Sequence, residues 1–398
     1  MSAEGFTVVG GGLAGLVAAR RLALGGALVT LIEAGDRLGG TVTHHVVGGL
    51  VLDAGAESFA SRRGVVETLA RALGLSAEVV PPAGRAWLHR ETGAVPLPAT
   101  SLLGIPGVPL ASDVVAVVGW RAAWRAMLDE LIPGTVGDRA PSLGALVRRR
   151  MGAGMLERLV APVVMGVHSL HPDGLDVDRV APGLRAAMRR EGSLAKGVRD
   201  LRERAPAGAA ALGIRGGVHR IVDELVADVE RFGVRIELGR RVRPEEGLPG
   251  EVVWAANDTP VAARVWLATL VVDQPALDDA PRGNGVLVVP GTAGVGAKAL
   301  THATAKWDWL RERAGRGRHV IRLSYDHEPT VPEARADAAT LLGAPLGTVV
   351  DAAVVAWTRC SPRRPDGHRH RVGESVAGTG IANVVAQAER LAAELLDR

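Results

Sequence analysis

The fold is decided by the stretch Phe6-Thr-Val-Val-Gly10-Gly-Gly12-Leu-Ala-Gly15-Leu-Val-Ala-Ala-Arg-Arg-Leu22. It predicts a buried strand, a glycine turn and a helix. Gly10, Gly12 and Gly15 have G-x-G-x-x-G spacing, in which the first glycine permits the tight turn, the second admits a pyrophosphate and the third lets helix and strand pack closely. Free amides and the positive end of the helix dipole would then face the phosphates.

A second strand supports this interpretation. Leu28-Val-Thr-Leu-Ile32 ends in Glu33, which lies 18 residues after Gly15. At that distance a carboxylate can accept hydrogen bonds from a ribose. The two strands and the helix therefore predict a dinucleotide-binding βαβ unit, compatible at this point with either NAD or FAD.

The residues that follow distinguish between these cofactors. The string Glu33-Ala-Gly-Asp-Arg37-Leu-Gly39-Gly40 has the pattern E-x-x-x-R-x-G-G, and Asp53-Ala-Gly55-Ala-Glu57-Ser58-Phe59 forms the next block of small residues. Both resemble the flavoprotein superfamily that contains amine oxidases, phytoene desaturases and protoporphyrinogen oxidases. The resemblance implies FAD as the cofactor.

The C-terminus resembles the segment that closes around the flavin in the same superfamily. The loop Gly373-Glu374-Ser-Val-Ala-Gly378-Thr379-Gly380-Ile381 precedes an apolar-periodic helix that runs to Leu396. A helix start there would present amides to the flavin and stabilise negative charge on the reduced ring. Val242 is a candidate adenine contact. The predicted FAD-binding residues are Gly10, Gly12, Leu13, Ala14, Gly15, Glu33, Ala34, Arg37, Gly39, Gly40, Thr41, Gly55, Ala56, Glu57, Ser58, Val242, Gly373, Glu374, Gly378, Thr379, Gly380 and Ile381.

The resemblance implies an α/β fold in which a Rossmann-like FAD-binding domain is interleaved with an α+β substrate domain. We expect residues 1–90, 211–260 and 358–398 to form the FAD-binding domain. Residues 91–210 are expected to form a helical subdomain on the substrate and membrane side, and residues 261–357 a strand-rich substrate domain.

Two strings outside the nucleotide motifs resemble the bacterial porphyrinogen oxidases. The first is Gly166-Val-His168-Ser-Leu-His171, and the second is Lys298-Ala-Leu-Thr-His-Ala-Thr-Ala-Lys306-Trp-Asp-Trp309. His168 stands where the family has an aromatic residue, and a satisfied helix-end histidine explains it equally well. The candidate substrate-binding residues are Arg62, Arg63, Gly166, His168, Lys298 and Lys306. Each cation is also compatible with a solvated surface charge.

The resemblance implies oxidation of coproporphyrinogen III to coproporphyrin III in haem biosynthesis, with O₂ reoxidising the flavin. Because the flavin carries the chemistry, no catalytic side chain and no metal site is assigned. Coproporphyrinogen has four propionates and protoporphyrinogen has two, so protoporphyrinogen IX is the alternative substrate. An amine or carotenoid oxidoreductase and a degenerate flavin-binding paralogue also remain open. The paralogue remains open for two reasons: the interval from Asn257 to Leu270 is shorter than the family pattern, and neither the helix nor the strand that normally precedes the C-terminal flavin loop is expected before Gly373.

Amino-acid composition argues against several other classes of function. The net charge of +4 suits an anionic ligand, while scattered arginines without an aromatic-basic module argue against nucleic acid binding. The single cysteine, Cys360, excludes an intrachain disulfide and an iron–sulfur cluster. We expect no signal peptide and no transmembrane segment, and hence a cytoplasmic protein. The most apolar stretch, Ser101 to Trp124, is interrupted by prolines and charges and is predicted to form a buried helix, with peripheral membrane contact as the alternative.

Overall fold

A computed structural model describes residues 5–61, 64–168, 170–204, 211–243, 245–257, 261–360 and 370–398. At its centre is a five-stranded parallel sheet in the order Arg235–Glu237, Val29–Ile32, Phe6–Val9, Glu251–Trp254 and His370–Arg371. The central strands are apolar on both faces, which is the pattern of a parallel sheet covered by helices. The predicted α/β fold is confirmed.

The edge of this sheet corrects one expectation. His370–Arg371 pairs in parallel with Val253 and Trp254, so the expectation that no strand precedes Gly373 is wrong. The strand is only two residues long. A segment this short shows no alternation of apolar and polar residues, so the sequence contains no signal that predicts it.

Four helices pack around the parallel sheet. Their buried apolar residues form one core with the strands. In Arg220–Arg231 the buried positions include Ile221, Val222 and Leu225, a helical spacing that turns one face to the sheet. A buried ion pair of 2.6 Å between Arg20 Nε and Asp228 Oδ2 joins two of these helices. The four helices are Leu13–Leu24, Val65–Ala72, Arg220–Arg231 and Ile381–Leu396.

The fold also contains a larger, mainly antiparallel sheet of seven strands, which come from both the N-terminal and C-terminal parts of the chain. Only its pair Gly285–Val288 and Ala86–Arg90 is parallel. Helix Val331–Leu342 covers one face, where Tyr325 and Leu341 are buried. In spatial order the seven strands are Thr348–Cys360, Val261–Asp273, Arg318–Tyr325, Ala299–His302, Gly285–Val288, Ala86–Arg90 and Gly93–Pro96.

The other face of the seven-stranded sheet holds the hairpin His44–Val47 and Leu50–Asp53. Val47, Leu50 and Leu52 pack there with Val271 and Val320 of the sheet. The residues that follow the hairpin belong to the motif Asp53–Phe59, the block of small residues that resembles the flavoprotein superfamily. This packing therefore brings the motif to the seven-stranded sheet.

Helices predominate between Ser112 and Arg204, around a separate apolar core. A π-helical turn, Leu156–Val160, leads into Ala161–His168. None of the helices in the described ranges is long and apolar enough to cross a membrane. The helices are Ser112–Val118, Trp120–Met127, Leu143–Met151, Ala153–Met155, Ala161–His168, Val177–Val180, Leu184–Glu191 and Leu194–Arg204, with 3₁₀ turns at Leu128–Leu131 and Pro172–Gly174.

The stretch from Ser101 to Trp124 corrects a second expectation. It forms the small hairpin Ser101–Leu102 and Ile105–Pro106, one short helix and the start of a second, rather than one buried helix. Gly119, with φ of +80°, separates the helices, and this backbone conformation favours glycine. On the second helix, Trp120 is 60% exposed and Trp124 is 57% exposed.

The remaining elements are short. Phe59–Ala60 and Val79–Val80 flank Ala211–Ile214 in a three-stranded sheet that links the N-terminal segment to the middle of the chain. The other short helices are Ala303–Lys306, Asp308–Ala314 and Glu374–Ala377, with 3₁₀ turns at Ser76–Glu78 and Pro275–Leu277.

One buried ion pair organises the helical region. Arg150 and Asp129 are fully buried, and Arg150 Nε donates to Asp129 Oδ1. Arg150 Nη1 also donates to the Pro133 carbonyl at 2.6 Å, and Asp129 Oδ2 accepts from the Ala195 amide at 2.9 Å. Because these charged groups are buried and form hydrogen bonds with protein groups instead of with water, removing one partner leaves the charge of the other uncompensated.

We expect Asp129→Ala to lower the free energy of unfolding of this region by about 3–5 kcal/mol, because Arg150 then lies unpaired in the core. The matched control is Asp308→Ala, which removes the exposed pair of Asp308 and Arg311 at 2.7 Å and costs less than about 1 kcal/mol. Urea unfolding followed by far-UV circular dichroism measures both. Equal losses in the two variants would contradict the assignment.

Candidate functional site

The glycine turn after Phe6–Val9 has the geometry that its spacing predicts. Gly10 has φ of +107°, and a Cβ there would lie 2.7 Å from the Ala256 amide. A Cβ on Gly15 would lie 1.9 Å from the Gly10 carbonyl, so helix and strand approach too closely for a side chain. At Gly12 a Cβ would meet nothing nearer than 4.0 Å, the Gly40 Cα. The backbone is therefore open at the position where a pyrophosphate is expected.

The start of helix Leu13–Leu24 has the features of an anion-binding helix N-terminus. Gly12 is its N-cap, no side chain caps it, and no acidic residue stands in its first turn. Leu13 and Ala14 open the helix, so their amides belong to the uncapped end. Such an end binds phosphate through its amides and dipole.

Glu33 lies beside this turn. Its Oε2 accepts from the Gly11 amide at 2.6 Å and its Oε1 from the Gly35 amide at 2.7 Å. Each carboxylate oxygen has a further lone pair, so Glu33 keeps the capacity to accept from a ribose. Ala34 and Gly35 complete the exposed loop.

The adjoining loops converge on the same place. Gly39 donates its amide to the Gly11 carbonyl at 2.8 Å, and Arg37 donates to the Gly40 carbonyl at 3.1 Å. On the other side, Arg240 donates its amide to the Glu33 carbonyl at 3.0 Å. This bond ties the loop that carries the half-buried Val242 to the Glu33 loop.

The segment from Thr41 to Ser58 runs past the turn. A Cβ on Gly55 would lie 2.4 Å from the Thr41 carbonyl, so this close approach requires glycine. Ala56 is exposed and Ser58 is half-buried. Between them lies Glu57, whose side chain points to the seven-stranded sheet.

Glu57 forms the centre of a charged cluster. Its Oε1 accepts from Lys306 Nζ at 2.6 Å and its Oε2 from Arg322 Nη1 at 2.7 Å. Arg322 Nη2 also donates to the carbonyls of Asp53 at 3.0 Å and Gly55 at 2.7 Å. Burial raises the pKa of the Glu57 carboxyl, but the charges and hydrogen bonds of Lys306 and Arg322 outweigh it and lower the pKa to about 2. Glu57 is therefore ionised at neutral pH.

The C-terminal loop lies against the first helix. A Cβ on Gly373 would lie 3.6 Å from Ala14 Cβ, which shows how closely the two segments pass. Glu374 accepts from Arg359 Nη1 at 3.0 Å, a second ion pair with the seven-stranded sheet. A Cβ on Gly378 or Gly380 would meet no atom within 4 Å, so this backbone is open.

The helix that follows, Ile381–Leu396, begins at Gly380 without a side-chain cap or an acidic first turn. Asn383 Nδ2 donates to the Thr379 carbonyl at 2.9 Å and holds the loop to the helix start. The first and last helices of the chain therefore each begin with uncapped amides, at glycines that leave space beside them.

The substrate candidates are dispersed. Lys306 is engaged by Glu57, and Lys298 Nζ lies 3.0 Å from Asp326 Oδ2 with both side chains exposed. Gly166 packs against the seven-stranded sheet, where a Cβ would lie 2.5 Å from Leu287 Cδ2. His168 ends the helix Ala161–His168. Arg62 and Arg63 lie outside the described residues.

Sequence reasoning missed Arg322 and His45. Arg322 stands between the apolar residues Ile321 and Leu323 in the strand Arg318–Tyr325, and a cation in such a position needs a partner, which is a signal that could have marked it. His45 is half-buried, both its ring nitrogens are buried without a hydrogen-bond partner, and burial followed by the Arg322 charge lowers its pKa. No feature of the string His44-His45-Val indicates this environment.

The chain is similar to known flavoproteins and porphyrinogen oxidases. A family model described as "Flavin containing amine oxidoreductase" matches residues 13–244. A coproporphyrinogen III oxidase of Mycobacterium tuberculosis is 30% identical, over 95% of this chain and 91% of the relative. One of Propionibacterium freudenreichii is 29% identical, over 77% of this chain and 66% of the relative. A proposed protoporphyrinogen oxidase from Exiguobacterium is similar in structure, with a TM-score of 0.78 at 20% identity and coverage of 100% and 99%. At that identity the structural likeness shows the fold alone.

We expect Glu57→Gln to lower the free energy of unfolding by about 3 kcal/mol at pH 7, because Lys306 and Arg322 lose their counter-charge. A carboxyl whose pKa falls from 4.5 in the unfolded chain to about 2 in the folded chain stabilises the fold above pH 4.5. That stabilisation is lost as the pH falls from 4.5 towards 2. The difference between wild type and variant, measured by denaturation at several pH values, therefore shrinks over this interval.

The control for this measurement is Glu394→Gln, which removes the exposed carboxylate 3.7 Å from Arg390. It changes stability by less than about 1 kcal/mol. A Glu57→Gln difference that stays constant down to pH 3 would contradict the ionised, buried carboxylate.

Proposed function

The chain belongs to the flavin containing amine oxidoreductase family, and we propose that it is an FAD-dependent oxidase that converts coproporphyrinogen III to coproporphyrin III with O₂ as electron acceptor. The observation that carries the proposal is the 30% identity to a coproporphyrinogen III oxidase across 95% of the chain. The family implies a flavin cofactor. The choice of FAD, of the substrate and of O₂ is the part that we propose.

The site geometry supports FAD as the flavin. The open backbone at Gly12 and the uncapped helix start suit a pyrophosphate, and Glu33 keeps acceptor capacity for a ribose. Val242, on the loop tied to Glu33, would contact the adenine. These residues serve the nucleotide half that FAD has and a mononucleotide flavin lacks.

The remaining cofactor residues are assigned to the flavin end. When bound, the flavin accepts hydride equivalents from the porphyrinogen and passes electrons to O₂. Gly378 and Gly380 leave room beside the start of helix Ile381–Leu396, whose amides and dipole would stabilise negative charge. Glu57, Lys306 and Arg322 hold the segment from Asp53 to Gly55 in place.

Substrate preference is argued from charge and from aromatic content. The net charge of +4 favours an anionic substrate, and coproporphyrinogen brings four carboxylates. An aromatic sandwich for an amine is disfavoured, because the single tyrosine, Tyr325, is 1% exposed and donates its hydroxyl to Asp337 at 3.1 Å. Protoporphyrinogen IX remains the alternative substrate.

We expect the purified chain to show an oxidised FAD spectrum and to form fluorescent porphyrin faster from coproporphyrinogen III than from protoporphyrinogen IX, with O₂ consumed. Gly12→Val should lose bound FAD and activity while its circular dichroism spectrum stays that of the wild type. Its Cβ has room, but its methyl groups fill the space assigned to the pyrophosphate.

The matched control is Gly174→Val, at a glycine where a Cβ would likewise have room, since it would meet no atom within 4 Å. It should keep both FAD and activity. An FAD-loaded wild type that is inert towards both porphyrinogens would overturn the enzymatic proposal and favour a degenerate paralogue. Failure to bind FAD would overturn the cofactor assignment.

We also propose that the protein works at the inner face of the cell membrane, bound to the lipid surface by an apolar stripe. The stripe comprises Trp120, Trp124, Leu128 and Leu131, whose exposed fractions are 60%, 57%, 46% and 80%. They follow one another three or four residues apart, which is the spacing of one helix face. Tryptophans are favoured at membrane interfaces, and the exposed Arg121 beside them suits anionic headgroups.

Wild type should sediment with vesicles that contain anionic lipid, and the triple variant W120S/W124S/L131S should bind them about tenfold or more weakly, because it removes apolar area from the contact. Leu28→Ser is the control, since Leu28 is 68% exposed in the other half of the molecule. Equal sedimentation of the triple variant and wild type, or none of either, would contradict membrane binding.

A further inference from the structure

A cluster of possible metal ligands is formed by side chains that are not assigned to FAD. His44 opens the hairpin strand His44–Val47, His219 immediately precedes helix Arg220–Arg231, and Asp223 stands in the first turn of that helix. Each offers one ligand atom, and the three atoms lie within 4.8 Å of one another. Among the described residues, no other group of this kind is found.

The position of His219 is set by a carboxylate. Its side chain is buried, and its Nδ1 lies 2.8 Å from Asp53 Oδ1. The same carboxylate accepts from the backbone amides of Val218 and His219, both at 2.9 Å, so it is placed as an acceptor for the imidazole as well. In the tautomer that donates from Nδ1, Nε2 keeps its lone pair for a metal ion. A carboxylate that holds the far nitrogen of an imidazole in this way is the usual support of a metal-ligating histidine.

The other two ligands are accessible. His219 and Asp223 are four residues apart at a helix start and so face the same side. The His44 and His219 rings are 4.8 Å apart between centroids and tilted by 49°. Both His44 and Asp223 are exposed, so an ion can enter from solvent and either side chain can rotate to close the site.

We propose that His44, His219 and Asp223 bind one divalent first-row transition ion, such as Zn²⁺, with Asp53 as the positioning residue and the fourth coordination position open to solvent. Two imidazoles and one carboxylate suit Zn²⁺, Co²⁺ and Ni²⁺ rather than Mg²⁺ or Ca²⁺. The ion joins the hairpin to the helix. It stabilises the fold because it binds the folded chain, where the three ligands meet.

Packing alone gives a simpler account of part of this arrangement. Two neighbouring imidazoles can contact one another without a metal, and Asp223 could serve only as an acidic residue near a helix start. Neither explanation accounts for a buried histidine whose Nδ1 is fixed by a carboxylate while a second imidazole and a second carboxylate lie beside it. The metal site accounts for all four side chains together.

The test uses the untagged, FAD-loaded full chain with Co²⁺ and Zn²⁺ alone as probes. Titration with Co²⁺ should give a visible d–d absorption that saturates at one ion per chain and is displaced by Zn²⁺, and Zn²⁺ should raise the melting temperature. His44→Asn and Asp223→Asn should each weaken binding about tenfold or more. Both residues are exposed, so neither change should alter the circular dichroism spectrum.

Matched controls are His171→Asn and His327→Asn, which remove histidines that also lie beside carboxylates, Asp173 and Glu333. They should bind Co²⁺ as the wild type does. Binding should also weaken on acidification below about pH 6.5, because protons compete for imidazole. The proposal is overturned if no saturable single site is found, if His44→Asn and Asp223→Asn bind normally, or if the controls lose the same affinity. None of these outcomes depends on porphyrinogen oxidation.

Discussion

The buried carboxylate of Glu57, held between Lys306 and Arg322, is the constraint on which the arrangement of the two sheets depends. Glu57 lies on the segment that leaves the small hairpin, whereas both cations come from the region of the seven-stranded sheet. Removing Glu57 would leave both cations without their counter-charge, so the carboxylate is the member on which the other two depend. Arg322 also donates to two carbonyls of the same segment, and thereby fixes its backbone as well as its charge.

The same segment is anchored at its other end by Asp53. That carboxylate accepts from the amides of Val218 and His219 at the start of helix Arg220–Arg231, which packs on the parallel sheet. Asp53 therefore ties the segment to one sheet and Glu57 ties it to the other. A backbone held at two points four residues apart has little freedom, which suits the proposed role of this segment as a surface along a planar cofactor.

Local patterns in the sequence predicted the parts of the site whose geometry is local. The roles of Gly10, Gly12 and Gly15 follow from their spacing within one turn, and the structure has the close approaches and the open backbone that this spacing predicts. The pairing of Glu57 with Arg322 joins residues 265 positions apart, and no periodicity encodes it. Apolar content alone predicts that Trp120 and Trp124 lie in a buried helix, whereas the helix that begins after Gly119 buries Ala123 and Ala126 and exposes both tryptophans.

Electrostatics links the two ends of the chain. Helices Leu13–Leu24 and Ile381–Leu396 pack against one another, and both begin at a glycine with no side-chain cap and no acid in the first turn. A helix start normally receives an acceptor from Ser, Thr, Asp or Asn, so two starts without one leave their amides for a ligand. Glu57, the ionised carboxylate in the neighbouring segment, is neutralised by two cations and adds little net negative charge to the region. The positive potential of the helix starts therefore remains available to an anion such as a pyrophosphate or a reduced flavin ring.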